Sequence, residues 1–194
     1  MKQLGKFLFK YRSYTPLPFV FAMILFMQPT FISIIIGFIF VLAGESIRIW
    51  SVGYAGSETR TTSGVGGSNL VTQGPYALIR NPLYWGNIMI YSGFGVMSNA
   101  IFPYLLIIAF AYFVFQYYLI IINEEEYLLA TYKENFVTYC KYVKRFLPFP
   151  KELPENIKSN IVFDLKIGLK SERRSIQATA IVTSIILIKF VFLN

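Results

Sequence analysis

The chain has no histidine and a single cysteine among its 194 residues. Those two shortages remove imidazole general bases, Cys/His nucleophile pairs, zinc sites of the usual ligand types and internal disulfides. The lone Cys140 reads as an inert thiol near a predicted membrane surface. Charge is scarce too: 14% of residues are charged against 55% hydrophobic, which fits a polytopic membrane protein and not a soluble domain. The net charge of +8 does not point to nucleic acid, because the basic residues are dispersed between apolar runs. Membrane orientation and anionic lipid account for it better. No internal repeat at a period of about 20–50 residues is present, so repeat architectures are set aside.

What is there is a series of apolar runs. Met1 to Tyr14 sets Lys2, Lys6, Lys10 and Arg12 among aromatics, as an interfacial anchor does, and no small-residue cleavage site follows the first apolar run. Pro16 to Met27 is short for a span, and the break at Gln28-Pro29-Thr30 predicts a tight helical hairpin with Phe31 to Trp50. Glu45 and Arg48 in that second run stand three apart and are expected to pair with each other. Leu83 to Ser98, Ile101 to Ile122 and Ser175 to Phe192 complete an all-α, polytopic membrane bundle of about five transmembrane helices. Basic residues fall before the first run, in Gly53–Asn81 and in Asn123–Arg174, while the turns at Gln28–Thr30 and Ser98–Ala100 have none. The positive-inside rule therefore predicts a cytosolic N-terminus and an outer C-terminus.

Residues 1–150 are expected to form the bundle, and residues 151–194 a charged linker plus one added helix. Lys151 to Arg174 is ambiguous: Phe163, Leu165, Ile167 and Leu169 alternate as in a strand, yet Ile157, Ile161, Leu165 and Leu169 step by four as in a helix. Gly64-Val65-Gly66-Gly67 lacks a surrounding βαβ pattern, so it reads as a flexible loop and not a phosphate cradle.

The chain is organised around GPYALIRNPLYWGN, Gly74 to Asn87. Gly74-Pro75 is turn punctuation, Pro82 suits the first turn of a helix, and Asn81 before it is expected to cap that helix through its side-chain oxygen. A helix N-terminus beside Arg80 at the membrane surface would favour an anion. Further on, Leu129, Tyr132, Phe136, Tyr139 and Val143 recur at helical spacing. Stepping back by four from Leu129 places Glu125 on the same inward stripe, with Glu126 turned about 100° away. Glu124 reads as part of a solvated acidic run.

Gly74 to Asn87 resembles the G-x-Y-x-x-x-R-H-P-x-Y signature of the membrane methyltransferases that include isoprenylcysteine carboxyl methyltransferase and the phospholipid methyltransferases. A second block is similar to the same superfamily: Glu125 to Leu129, then Tyr132, Phe136, Tyr139 and the ending Arg145-Phe146-Leu147-Pro148-Phe149. The resemblance covers about Leu70 to Phe149. It implies S-adenosyl-L-methionine as methyl donor, bound on the cytosolic side, with a lipophilic acceptor arriving from the bilayer. Carried onto this sequence, it implies a donor site of Ser68, Asn69, Leu70, Val71, Tyr76, Arg80, Asn81, Pro82, Leu83, Tyr84, Glu125 and Glu126, with Arg80, Tyr84 and Glu125 nearest the chemistry. Two positions depart from the pattern. Asn81 stands where the family has histidine, and Ile121 where the prenylcysteine enzymes have arginine. Two other readings accompany this one: an NADPH-dependent reductase resembling the C-terminal domain of steroid-reductase-like enzymes, which favour glutamate where Asn87 stands, and a non-catalytic membrane protein.

Overall fold

A computed structural model describes residues 2–56, 70–148 and 152–192, and among them there is no strand. The helices are α1 (Lys2–Tyr11), α2 (Leu17–Phe26), α3 (Phe31–Ala55), the single turn α4 (Pro75–Leu78), α5 (Pro82–Ser98), α6 (Tyr104–Tyr142) and α7 (Leu165–Phe192). The glycine-rich stretch Gly64 to Gly67, the predicted site residues Ser68 and Asn69, and Phe149 lie outside the described residues. Three helices, α3, α6 and α7, are long and apolar enough to cross a membrane. With 17 residues α5 rises about 25 Å, and the ten residues of α2 about 15 Å, against a hydrocarbon core of about 30 Å. Phe31, Ile32, Ile39, Ile107, Ile108, Ile181 and Ile188 are all exposed, an apolar exterior that water would not tolerate and lipid does. The all-α membrane bundle read from the sequence is what the chain forms.

Glycine decides which helices touch. Gly37 and Gly44 of α3 face Gly93 and Gly86 of α5, and a Cβ built on Gly37 or Gly44 would fall 2.4 or 2.6 Å from the carbonyl oxygen opposite. Small residues spaced this way let two membrane helices meet backbone to backbone. The expected α2–α3 hairpin does not form. The turn before α3 is built as expected, with a capping box in which Thr30 Oγ1 accepts from the Ser33 amide at 3.2 Å and Ser33 Oγ accepts from the Thr30 amide at 2.9 Å. But α5 occupies the glycine face of α3, and α2 rests on α5 and α6 instead.

At the end of the bundle that holds the turns before α3 and after α5, α2, α3, α5 and α7 share a buried cluster of Met23, Met27, Val41, Phe94, Met97 and Ile186. At the opposite end α6 continues past the apolar run, and its helix is interrupted at Lys133, where φ is 46° and ψ −119°. That interruption breaks the predicted stripe. Phe136, Tyr139 and Val143 are buried, but Leu129, on the other side of the break, is exposed.

The ambiguous segment is neither one helix nor a strand. Residues 152–164 are irregular apart from a 3-10 turn at Glu155–Ile157, and helix begins only at Leu165. The backbone amides of Ser159 and Ile161 are taken by the side chains of Thr72 and Gln73 at 2.8 and 3.2 Å, which competes with a helical ladder. Leu153 and Ile157 pack with Phe136, Tyr139 and Val143, so this strap closes over the start of the Gly74–Asn87 motif.

Candidate functional site

The motif folds as a tight detour between α3 and α5. Gly74 adopts φ 59°, ψ −130°, where a side chain is strained, and a Cβ there would also lie 2.3 Å from the Tyr54 ring. Pro75 then opens the single turn α4, and the Tyr76 carbonyl accepts from the Tyr139 hydroxyl at 2.6 Å. The Arg80 amide donates to the Lys144 carbonyl at 3.0 Å. Both bonds tie the motif to the far end of the second sequence block.

Glu125 is the meeting point. It is buried and Glu126 is exposed on another face of α6, as expected, but Leu129, the residue from which that expectation is counted, is exposed. Arg145 Nε donates to both carboxylate oxygens, at 3.2 and 3.1 Å, and Arg80 Nε lies 3.1 Å from Oε1 as an ion pair without the alignment of a hydrogen bond. The Arg80 and Glu125 side chains are 12% and 11% exposed and Arg145 is 32% exposed, so Arg80 holds the desolvated half of the cluster. Two guanidiniums on one carboxylate leave a positive excess when all are ionised. The Arg145 guanidinium is held above its ordinary value, chiefly by hydrogen bonding to Glu125.

The same stretch carries unusual polar atoms. Tyr76 Oη, Arg80 Nε, Asn81 Nδ2 and Trp85 Nε1 are buried without a hydrogen-bond partner. A buried donor without an acceptor costs about 1–3 kcal/mol, and three of these, on Tyr76, Asn81 and Trp85, lie within ten residues of one motif beside the ion-paired Arg80. Burial, then Glu124 and Glu172, push the Tyr76 hydroxyl above its usual value, so it stays a neutral donor. Asn81 does occupy the N-cap position of α5, with Pro82 at the first helical position, but its side chain makes no capping bond. The expected cap is therefore absent, and the first amides of α5 remain available at the positive end of the helix.

Tyr84 is placed differently from its neighbours. Its hydroxyl donates to Glu124 Oε1 at 2.6 Å and its ring lies 4.7 Å from that of Tyr117, so it faces the α5–α6 seam. Glu124 is thus a partner within the bundle and not part of a solvated run. Leu70 packs against the Phe136 cluster, Val71 and Leu83 are half-buried, and Pro82 is buried beneath the motif.

The Glu45–Arg48 pair is replaced by contacts to α7. Arg48 donates through Nε and Nη2 to Glu172 Oε2 at 3.1 and 2.6 Å and through Nη1 to Asn87, while Glu45 Oε1 accepts from Ser175 and Thr179 at 2.9 and 2.6 Å. Glu172, Ser175 and Thr179 share a helical face, and that spacing was the one signal in the sequence that this added helix had polar partners.

An all-helical bundle with an apolar exterior and an arginine–carboxylate cluster beyond its apolar layer defines a polytopic integral membrane protein. Within that class the chain belongs to the phospholipid methyltransferase family, whose model matches residues 32–135. It is also 31% identical over 101 residues to the cobalt-zinc-cadmium resistance protein CzcN of Cupriavidus metallidurans, covering 52% of this chain and 42% of that protein. The match spans less than half the length of that relative. No solved structure matches.

Proposed function

We propose that this chain is an S-adenosyl-L-methionine-dependent methyltransferase that modifies a lipophilic acceptor at the cytosolic face of the membrane. The observation that carries the reading is the cluster of Arg80, Arg145 and Glu125, positive in excess, beside the unpartnered Tyr76 and Asn81 donors. A donor molecule bearing a carboxylate and an ammonium on one carbon fits that mixed set: Arg80 and the α5 amides suit the carboxylate, and Glu125 the ammonium or ribose hydroxyls. When bound, the group supplies a sulfonium-activated methyl for in-line displacement. What the protein adds is positioning and exclusion of water, and neither needs histidine.

Leu70, Val71, Pro82 and Leu83 supply apolar wall, and the strap at 152–161 closes that wall from outside. Exposed apolar residues run along α6 from the site into the bilayer, Tyr118, Phe115 and Ile108 among them, which supports lateral entry of an acceptor with a hydrocarbon tail. Arg145 and Arg48, the cations that would meet an acceptor carboxylate, are both engaged by glutamates. Ile121, where the prenylcysteine enzymes have arginine, favours a membrane lipid or prenylated small molecule over a prenylcysteine acid. By the positive-inside rule the site faces the cytosol.

Stabilisation of the purified protein against heat by S-adenosylhomocysteine and not by NADPH is the expected result. The reverse would make it a reductase, and no effect of either would favour a non-catalytic protein. Radiolabelled donor given with total membrane lipid, and separately with a farnesylcysteine analogue, then identifies the acceptor. Label confined to water-soluble products would defeat lateral entry.

A further inference from the structure

The C-terminal helix lies wholly outside the stretch that defines the family, yet it carries Glu172, whose side chain is 0% exposed inside a membrane bundle. A carboxylate in such a place is costly unless it is paired, and its partner is Arg48 of α3. Arg48 in turn reaches Asn87 of α5, about 9 Å further along the helix axis than Asn81. Gly86 makes that reach possible, since a Cβ there would sit 2.6 Å from Arg48 Cγ. On α7, Gly168 brings the helix against the Ile49 carbonyl, at 2.7 Å from a built Cβ, just where the two helices approach the site. The contacts thus form one chain of charged and amide groups, Glu172 to Arg48 to Asn87, from the added helix to the helix whose first turn follows Arg80 and Asn81.

We propose that Glu172 is a positioning residue for the site: acting through Arg48 and Asn87, it fixes the rotation and height of α5 and so sets Arg80, Asn81 and Tyr84 in register with Glu125 and Glu124. Apolar packing of Val41, Ile90, Phe94 and Met97 and the Tyr84–Glu124 bond also hold α5, and the Arg48–Asn87 bond adds the polar contact from α3 at the height of the site. Only what the positioned residues bind rests on the function proposed above. The positioning itself does not.

The full chain in lipid nanodiscs provides the test, with Glu172→Gln and with the double variant Arg48→Met/Glu172→Leu, which removes both members of the pair. Hydrogen exchange is read at residues 82–90 of α5 and, as an internal control, at residues 106–120 of α6, and S-adenosylhomocysteine affinity is read by calorimetry. Glu172→Gln is expected to speed exchange in α5 and weaken S-adenosylhomocysteine each by about tenfold, with the α6 control unchanged. The double variant, which removes both members of the Arg48–Glu172 pair and leaves Glu45 hydrogen-bonded to Ser175 and Thr179, should recover thermal stability but neither α5 protection nor affinity. Recovery of all three would make the pair merely structural and overturn the proposal, as would α5 exchange that stays at the wild-type rate or rises together with α6. If the wild type binds no S-adenosylhomocysteine, the methyltransferase reading fails while the exchange measurement still decides the role of Glu172.

Discussion

Replacing Glu125 by glutamine tests the site and its energetics at once. The substitution keeps the shape and one acceptor oxygen but withdraws the negative charge shared by Arg80 and Arg145. Removing one partner of a well-buried pair costs about 3–5 kcal/mol, and a pair in solvent about 0–1 kcal/mol. Arg80 belongs near the first regime and Arg145, a third exposed, near the second, and the retained amide oxygen offsets part of each. A loss of about 2–3 kcal/mol in folding free energy is therefore expected, most of it through Arg80. Equilibrium unfolding in detergent reads the total, and a double-mutant cycle with Arg80→Met and with Arg145→Met apportions it. Glu126→Gln, on an exposed face of the same helix, should change stability by less than about 1 kcal/mol. S-adenosylhomocysteine binding should fall with Glu125→Gln and change little with Glu126→Gln. A larger coupling to Arg145 than to Arg80, or a Glu126 effect equal to that of Glu125, would refute the assignment of Glu125 as the buried centre.

Other perturbations have equally definite outcomes. Gly44→Ala forces a Cβ to 2.6 Å from the Gly86 carbonyl and should destabilise by about 1–3 kcal/mol, whereas Gly95→Ala meets only the movable Leu106 side chain and should cost less; thermal unfolding compares them. Tyr84→Phe removes the donor to Glu124 and is expected to cost about 1–3 kcal/mol in the same assay, with S-adenosylhomocysteine affinity preserved because that hydroxyl faces the α5–α6 seam. Phe102→Cys in a Cys140→Ser background should react with an impermeant thiol reagent only from outside, and reaction only from the cytosolic side would invert the topology.

The sequence was most legible where physics is local. Proline punctuation located the start of α5, and Glu125 is buried and Glu126 exposed as expected, although Leu129, from which that phase was counted, is itself exposed. It failed where a contact spans the chain. The Arg48–Glu172 bond joins residues separated by 124 positions, and nothing in the periodicity of α3 announces it, so the nearer Glu45 was the natural partner to expect. Arg145 was missed as the hydrogen-bonding partner of Glu125 for the same reason. The inward stripe was right in kind and wrong at Leu129, because a residue at positive φ, Lys133, resets the helical phase between the two halves. Asn81 was recognised as a boundary residue, yet its amide is not spent on the cap the local pattern suggested.

The uninterrupted stretch of α6 before Lys133 also works as a ruler. From Tyr104 to Glu125 the helix climbs about 31 Å, close to the thickness of the hydrocarbon layer, so residue number alone sets how far out of the oil the carboxylate stands. Inserting or deleting one residue in that stretch would shift Glu125 by only about 1.5 Å but swing it by about 100°. It would then point away from Arg80 and Arg145 with no loop between to absorb the error. Length variation should therefore be forbidden between Tyr104 and Glu125.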